Sequence, residues 1–235
     1  MTGKLYLIPS AISDAPVEEV IPGYVTTVIN HITYYIVENE RTGRRMLIRL
    51  GLKTPIDELT FFILNKHTNR SELYSFFDKA SGSDIGLLSE AGLPAIADPG
   101  SEVALLAHQR KMEVIPISGP SSIFLAMMAS GLNGQNFAFN GYLPVTSNER
   151  IRKIRQLEQF SLKENQSQIF IETPYRNNQM FTDLMKTCSD NTLLCIATDI
   201  TSKDAMIKTL SISEWRKNKP DLNKRPSIFI LLKKN

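Results

Sequence analysis

The stretch Gly86–Gly100 reads G-L-L-S-E-A-G-L-P-A-I-A-D-P-G and concentrates three glycines and two prolines in one run. Glycine reaches backbone angles closed to other residues and proline fixes its own. The pattern therefore predicts a stiff loop between a strand ending near Leu88 and a helix starting near Ser101. Asp98 and Ser101 are both placed to cap that helix, with its free N–H groups turned into the loop. The chemistry such a loop offers is binding, because its backbone groups lie close to a small ligand outside the carboxyl end of a strand. A plain β–α connection with turn residues gives the same spacing. Two further runs of this kind follow: Ser118-Gly119-Pro120-Ser121-Ser122, and Glu172-Thr173-Pro174-Tyr175-Arg176.

Several other chemistries lack their residues. No G-x-G-x-x-G follows the first apolar run, no P-loop is present and no G-x-S-x-G elbow is found. His31, His67 and His108 are the only histidines, and no two sit at ligand spacing, so no metal site is expected. Cys188 and Cys195 form no close pair and are expected as reduced, buried thiols.

The chain has 235 residues, 42% of them hydrophobic and 22% charged, which is an ordinary globular balance for one large domain or two small ones. A net charge of +3 permits an anionic partner without demanding one, so a basic surface has to come from local clustering. The N-terminal run reads as a first strand and not as a signal peptide. No stretch of about 20 apolar residues occurs, so a soluble cytoplasmic protein without a membrane span is expected.

Strand and helix patterns alternate along the chain. Lys4–Ile8, Thr33–Val37, Leu59–Leu64, Ile85–Leu88 and Glu113–Ile117 read as strands. Between them lie a helical pattern over Val17–Ile32 broken at Pro22-Gly23, a basic helix within Glu38–Gly51, a helix from a Ser71 cap to Ala80, and a helix over Glu102–Arg110. Beyond a boundary at Ile117–Gly119, helices are expected over Ser121–Ser130, Asn148–Phe160 and Asn178–Cys188, with a helical turn over Ser213–Lys217. Strands are expected over Phe137–Tyr142, Ser167–Ile171, Thr192–Thr198, Ala205–Leu210 and Ser227–Leu232. No helix separates Thr198 from Ala205, which predicts that this half mixes parallel and antiparallel pairing. The expectation is α/β throughout: an N-terminal domain over 1–117 with a mostly parallel sheet, and a C-terminal domain over 118–235 with a mixed sheet, helices covering both faces.

The loop residues carry a resemblance. The chain resembles the tetrapyrrole methylase family of S-adenosylmethionine-dependent methyltransferases, and looks closest to the branch that methylates the 2′-O of a cytidine in small-subunit ribosomal RNA. The carrying residues are L-L-S-E-A-G-L-P-A-I-A-D-P-G at 87–100, P-I-S-G-P-S-S at 116–122, S-G-L at 130–132, F-A-F-N-G-Y-L-P at 137–144, I-F-I-E-T-P-Y-R at 169–176 and I-A-T-D-I-T-S-K at 196–203. Two stretches depart from that branch. The loop after the first strand is Pro9-Ser10-Ala11-Ile12-Ser13-Asp14 where the branch has a T-P-I-G-N-L type loop, and its A-E-D-T-R-x-T stretch is here E-N-E-R-T-G at 38–43. Leu93 also stands where the wider family often has a polar residue.

The resemblance implies two α/β domains, a homodimer, and S-adenosylmethionine in a cleft between the domains. It places Pro9, Gly92, Leu93, Pro94 and Ile96 at the cofactor from the first half, Ser121 and Ser122 from the connecting segment, and Glu172, Thr173, Ala197 and Thr198 from the second half. A ribose hydroxyl is a weak nucleophile that gains from a nearby base. Glu40 is the candidate, with Arg41 steadying a phosphate and Glu172 as rival base, against the plain role of a helix-start carboxylate for Glu40. Arg41, Arg44, Arg45, Arg49 and Lys53 form the basic cluster expected to meet RNA. The alternatives are a methyltransferase of a tetrapyrrole-like or other small molecule, and a catalytically inactive protein that binds S-adenosylmethionine.

Overall fold

The computed structural model describes residues 3–65 and 67–234. The chain divides into two compact units, Met1–Ser121 and Ser122–Asn235. In the first unit the order is β1 (Lys4–Ile8), α1 (Val17–Val20), α2 (Tyr24–Ile29), β2 (Tyr34–Val37), α3 (Glu40–Arg49), β3 (Thr60–Ile63), α4 (Arg70–Lys79), β4 (Ile85–Leu88), α5 (Gly100–Gln109) and β5 (Glu113–Pro116). The five strands form one sheet in the order β3-β2-β4-β1-β5. All of its pairings are parallel.

Alternation along these strands decides which helix covers which face. Tyr35 and Val37 join Ile8 and Leu88 under α2 and α3, whose Val25, Ile29 and Leu47 are buried with them. The residues between, Ile36 with Leu5, Ile85 and Leu87, join Leu73 and Phe77 of α4 and Val103, Leu106 and Ala107 of α5. A parallel sheet clothed on both faces needs apolar side chains in both registers, which is why these short strands read as nearly unbroken apolar runs.

The second unit runs α6 (Ser122–Ser130), β6 (Phe137–Tyr142), α7 (Ser147–Glu164), β7 (Ser167–Ile171), α8 (Asn177–Thr187), β8 (Leu193–Thr198), β9 (Met206–Ser211), α9 (Ile212–Lys217) and β10 (Ser227–Leu232). Its sheet order is β6-β7-β10-β8-β9. Only β6 and β7 are parallel; β10 runs antiparallel to β7 and β8, and β8 to β9. Phe170, Ile196 and Phe229 face α7, α8 and α9 in one core with Ile154, Leu157, Leu184 and Trp215. Inside it Phe170 and Phe229 stack at 5.7 Å, and the Trp215 indole N–H donates to the Leu194 carbonyl at 2.8 Å. Helix α6 packs across β9 and β10 with Ile123, Ala126 and Met127 buried. The mixed α/β architecture is thus as the strand and helix patterns predict.

Local details differ from the sequence expectations for identifiable reasons. Helix α4 starts from Asn69, not Ser71: the Asn69 side chain accepts from the Glu72 N–H and the Glu72 carboxylate accepts from the Asn69 N–H, both at 3.0 Å. That reciprocal pair satisfies two end donors at once, while the Ser71 hydroxyl merely donates to Asn69 Oδ1. Helix α7 runs to Glu164, a turn past the expected end, because Asn165 adopts the left-handed conformation (φ 47°) that closes it. Both cysteines are free and buried.

Candidate functional site

The carboxyl edge of the parallel sheet carries the loops that follow β1, β4 and β5, and these interlock. Ser10 and Gly92 exchange two backbone hydrogen bonds, Ser10 N to Gly92 O at 2.8 Å and Gly92 N to Ser10 O at 3.0 Å. The Ser10 hydroxyl donates to the Ser89 carbonyl at 2.8 Å. Gly92 has φ +74°, a conformation that side chains disfavour, and a Cβ there would meet Ile12 Cγ2 at 3.3 Å and the Pro120 carbonyl at 3.4 Å. Gly119 passes so near Pro9 that a Cβ would lie 2.1 Å from the proline Cβ, with Leu93 Cδ2 next at 3.6 Å. Pro9, Gly92, Leu93 and Pro120 are thereby brought together by backbone approach. Pro94 is buried, whereas Ile96 is 46% exposed, an apolar side chain presented outward from the loop after β4.

Asp98 organises that loop instead of capping the following helix through N2 or N3. Its Oδ1 accepts from Ala95 N at 2.9 Å and from Gly100 N at 2.7 Å. Pro99 occupies the cap position of α5 with no side-chain bond, and Ser101 lies within the helix. The two Asp98 bonds hold Ala95 (φ 67°) and Ala97 (φ 63°) in the left-handed region, which costs a residue with a side chain about 1–3 kcal/mol. Strain kept in a loop between a strand end and a helix is a mark of a functional segment.

Carboxylates gather on the same edge. Glu38 directly follows β2, and its Oε1 accepts from the Glu90 N–H at 3.3 Å. Glu90 Oε1 accepts from the Thr42 hydroxyl at 2.6 Å. Burial raises the Glu38 carboxyl above its ordinary value, the Glu90 N–H opposes that, and the Asp98 and Glu90 carboxylates add to it. Asp98 is raised by burial too, against the two N–H groups it accepts from. Glu40 opens α3, where Asn39 is the cap, and its carboxylate meets Arg44 Nη2 at 2.7 Å. Arg41 is exposed beside it. Glu38 and Glu90 were missed in the sequence, where no spacing marks two residues from different strand ends as neighbours; only the register Val37↔Leu88 does.

In the second unit the corresponding edge is built from side chains. Glu172 follows β7 with its side chain fully buried, and Oε1 accepts from Thr173 N at 2.6 Å and from Arg176 Nε and Nη2 at 3.0 and 2.6 Å. Thr198 ends β8 opposite Ser227 of β10, next to the buried Ala197. Asn177 opens α8 and donates from Nδ2 to the Arg225 carbonyl at 2.6 Å and to Ser227 Oγ at 3.1 Å. Glu172 Oε2, Asn177 Oδ1 and Thr198 Oγ1 are buried without a hydrogen-bond partner. A buried polar atom left unpaired costs about 1–3 kcal/mol, so these three, after β7, at the end of β8 and at the start of α8, form a deficit that the fold sustains. Asn177 and Ser227 carried no sequence signal; the antiparallel register assembles them. Ser121 is buried at the end of the first unit and Ser122 opens α6.

Within the basic cluster of α3 one arginine is engaged by acids, while Arg41, Arg45 and Arg49 are exposed. Arg44 pairs with Glu40 and Asp57 and lies over the Phe61 ring, and Arg49 donates to the Ala15 carbonyl. Among the described residues no group of three His, Cys, Asp or Glu side chains could hold a metal ion, and no helix is long and apolar enough to cross a membrane.

No family model matches the chain. It is similar over almost its whole length to curated proteins named ribosomal RNA small subunit methyltransferase I. It is 26% identical to that of Pasteurella multocida, covering 98% of this chain and 79% of the relative. The counterpart from Buchnera aphidicola is 29% identical, covering 98% and 78%. That of Vibrio cholerae is 27% identical, covering 89% and 69%. Among solved structures the fold matches the methyltransferase CobJ at a TM-score of 0.61 with 15% identity, over 98% of this chain and 94% of that one. It also matches the native form of uroporphyrin III C-methyl transferase from Thermus thermophilus at 0.60 with 13% identity, over 98% of both chains. The resemblance drawn from the motifs is borne out, and with it the tetrapyrrole methylase fold and a methyltransferase activity.

Proposed function

We propose that this methyltransferase takes its methyl group from S-adenosylmethionine and delivers it to ribosomal RNA of the small subunit, at a ribose 2′-hydroxyl of a cytidine. The observation that supports this most is the interlocked set of loops after β1, β4 and β5, at the strand ends where open α/β sheets bind ligands. The relatives' names supply the substrate class. The solved structures share the fold at low identity, which leaves a tetrapyrrole-like substrate as the second reading.

The residues fit such a donor. The close passage of Gly92 and Gly119 exposes backbone in place of side chain, and Glu172 Oε2 and Thr198 Oγ1 have hydrogen-bonding capacity unused within the fold. Pro9, Gly92, Leu93, Pro94, Ile96 and Ser121 are the proposed contacts from the first unit, and Ser122, Glu172, Thr173, Ala197 and Thr198 from the second. When bound, S-adenosylmethionine supplies an electrophilic methyl on a sulfonium whose departure is neutral, so the protein's work is chiefly alignment. The stiff loops serve that, since they reorganise little when the reactants meet. A carboxylate at the β2–α3 junction takes the hydroxyl proton: Glu40, with Arg41 on a neighbouring phosphate, or Glu38, whose affinity for protons burial raises above that of an ordinary carboxylate. Glu40 must first give up Arg44. The active unit is proposed to be a homodimer in the cytoplasm.

The experiment is methylation of small-subunit ribosomal RNA by the purified protein with labelled S-adenosylmethionine, followed by alkaline hydrolysis. Label in an alkali-resistant dinucleotide containing cytidine supports the proposal. Donor binding by calorimetry without labelled RNA points to the small-molecule reading, and absence of donor binding to an inactive fold.

A further inference from the structure

The two units carry opposite charge. Residues up to Ser121 hold eleven Lys and Arg against fourteen Asp and Glu, whereas Ser122 onward holds sixteen against ten. The mild net charge of the whole chain is thus a difference between an acidic unit and a basic one. A polyanion binds where cations are both clustered and unspent. In the acidic unit Arg44 of α3 is neutralised by Glu40 and Asp57, and its exposed neighbours Arg41, Arg45 and Arg49 stand among an excess of carboxylates.

In the second unit α8, α9 and the segment after α9 border an open hollow of about 370 Å³ lined by Phe181, Thr182, Met185, Lys186, Arg216 and Lys219. Arg216 is a strut within it: the guanidinium pairs with Asp190 and donates to the carbonyls of Met185 at 3.0 Å and Cys188 at 3.2 Å, tying α9 to the end of α8. Its charge is therefore spoken for. Lys186 and Lys219 are exposed, and neither has an ion-pair partner among the described residues. The rest of the lining is mostly apolar, with Met185 and Phe181, the latter fixed against Trp215 at 6.1 Å. The nearest acid of α9, Glu214, is engaged by the Ser211 hydroxyl and N–H.

We propose that this hollow is a second RNA contact, in which Lys186 and Lys219 hold backbone phosphates and the Met185–Phe181 lining receives a ribose or base. The proposal rests on the reading of RNA as substrate and adds where, outside the loops already described, the strand is held. Two ammonium groups beside an apolar lining match a nucleotide, whose anionic and apolar parts alternate along the chain. The exposed lysines give affinity without sequence preference, because they meet phosphate and not base edges.

The test uses the full chain and a small-subunit ribosomal RNA fragment over a salt series. Lys186→Glu/Lys219→Glu is compared with Lys163→Glu/Lys234→Glu, which makes the same charge change on the same unit outside the hollow. The first pair is expected to weaken binding at least tenfold and to make the slope of log affinity against log salt shallower by about 1.4–1.8, the change for two lost phosphate contacts. Melting temperature and donor affinity stay at wild-type values. The control pair is expected to change the slope far less. Equal effects from both pairs, or wild-type binding by the first, overturn the hollow while leaving RNA as substrate. A wild-type chain that neither binds nor methylates the RNA overturns the substrate reading, and the hollow with it.

Discussion

The two sheet edges differ in what they are made of. In the first unit the loops that meet are joined backbone to backbone, Ser10 to Gly92 and Gly119 against Pro9, and the described ion pairs of that unit all involve exposed side chains. In the second unit the edge depends on buried side chains: Glu172 with Arg176, Asn177 with Ser227, and one turn into α7 the buried pair Arg150–Asp183. A parallel sheet aligns all its carboxyl ends, so neighbouring loops can grip one another directly. A mixed sheet alternates strand ends and loop starts along one edge, and side chains must span the gaps. The first edge should therefore be sensitive to added atoms and the second to lost partners.

The largest effect is expected from removing a partner in the second unit. Arg150 Nε donates to Asp183 Oδ2 at 2.8 Å and Nη1 to the Val145 carbonyl at 2.7 Å, with both side chains 3% exposed or less. Asp183→Asn leaves a buried guanidinium unpaired and is expected to cost about 3–5 kcal/mol, read from denaturant unfolding. A cost below about 1 kcal/mol would mean that the second unit does not depend on buried charge.

Next in size is an added methyl in the first unit. Gly119→Ala drives a Cβ to 2.1 Å from Pro9, a clash with a rigid ring that only backbone movement relieves. Overpacking of this kind costs about 1–3 kcal/mol, and because the shift moves the loops after β1 and β5, donor affinity by calorimetry is expected to fall at least tenfold. Destabilisation with unchanged donor affinity would separate these loops from the donor site. A smaller effect, of opposite sign, is expected at the second edge. Thr198→Val replaces an unpartnered buried hydroxyl with a methyl of similar shape and should raise the stability of the free protein by about 1 kcal/mol. If the hydroxyl meets the donor, the same variant binds it more weakly, so stability and affinity move apart.

How much of this could be read in the sequence follows the same division. The glycine and proline runs at 86–100 and 118–122 mark the first edge because backbone conformation is written in those residue types. Strand periodicity likewise gives both sheets, and the absence of a helix between Thr198 and Ala205 marks the second sheet as mixed, as the antiparallel pair β8–β9 has it. Side-chain partnerships are not written locally. Arg150 and Asp183 lie 33 residues apart on separate helices, and no local pattern pairs them. Glu38 looks no different from Glu40, although one is half-buried beside two carboxylates and the other is exposed against Arg44. Asp98 reads as a helix cap because its position before a helix is visible, while the turn that brings Ala95 N within reach is not.

The smallest effect is expected at Glu38, and it tests whether the first edge contains a side-chain device after all. Burial, with Asp98 and Glu90 nearby, holds the Glu38 carboxyl above its unfolded value, so the folded chain keeps the proton more tightly than the unfolded chain does. The stability this contributes is complete below the unfolded value and is lost as pH rises through the folded one. Glu38→Gln removes that loss, and its stability should fall less steeply than wild type as pH rises above about 4.5, with Asp98 still titrating in both proteins. The methylation rate should respond in the opposite sense: a chain deprived of its base loses turnover most where wild-type Glu38 is ionised, while donor binding is unchanged. Glu40→Gln, by contrast, breaks only an exposed pair with Arg44 and should change stability by about 1 kcal/mol or less. Loss of turnover in Glu40→Gln but not in Glu38→Gln would assign the proton to the exposed carboxylate, and the buried one would then have no part in turnover.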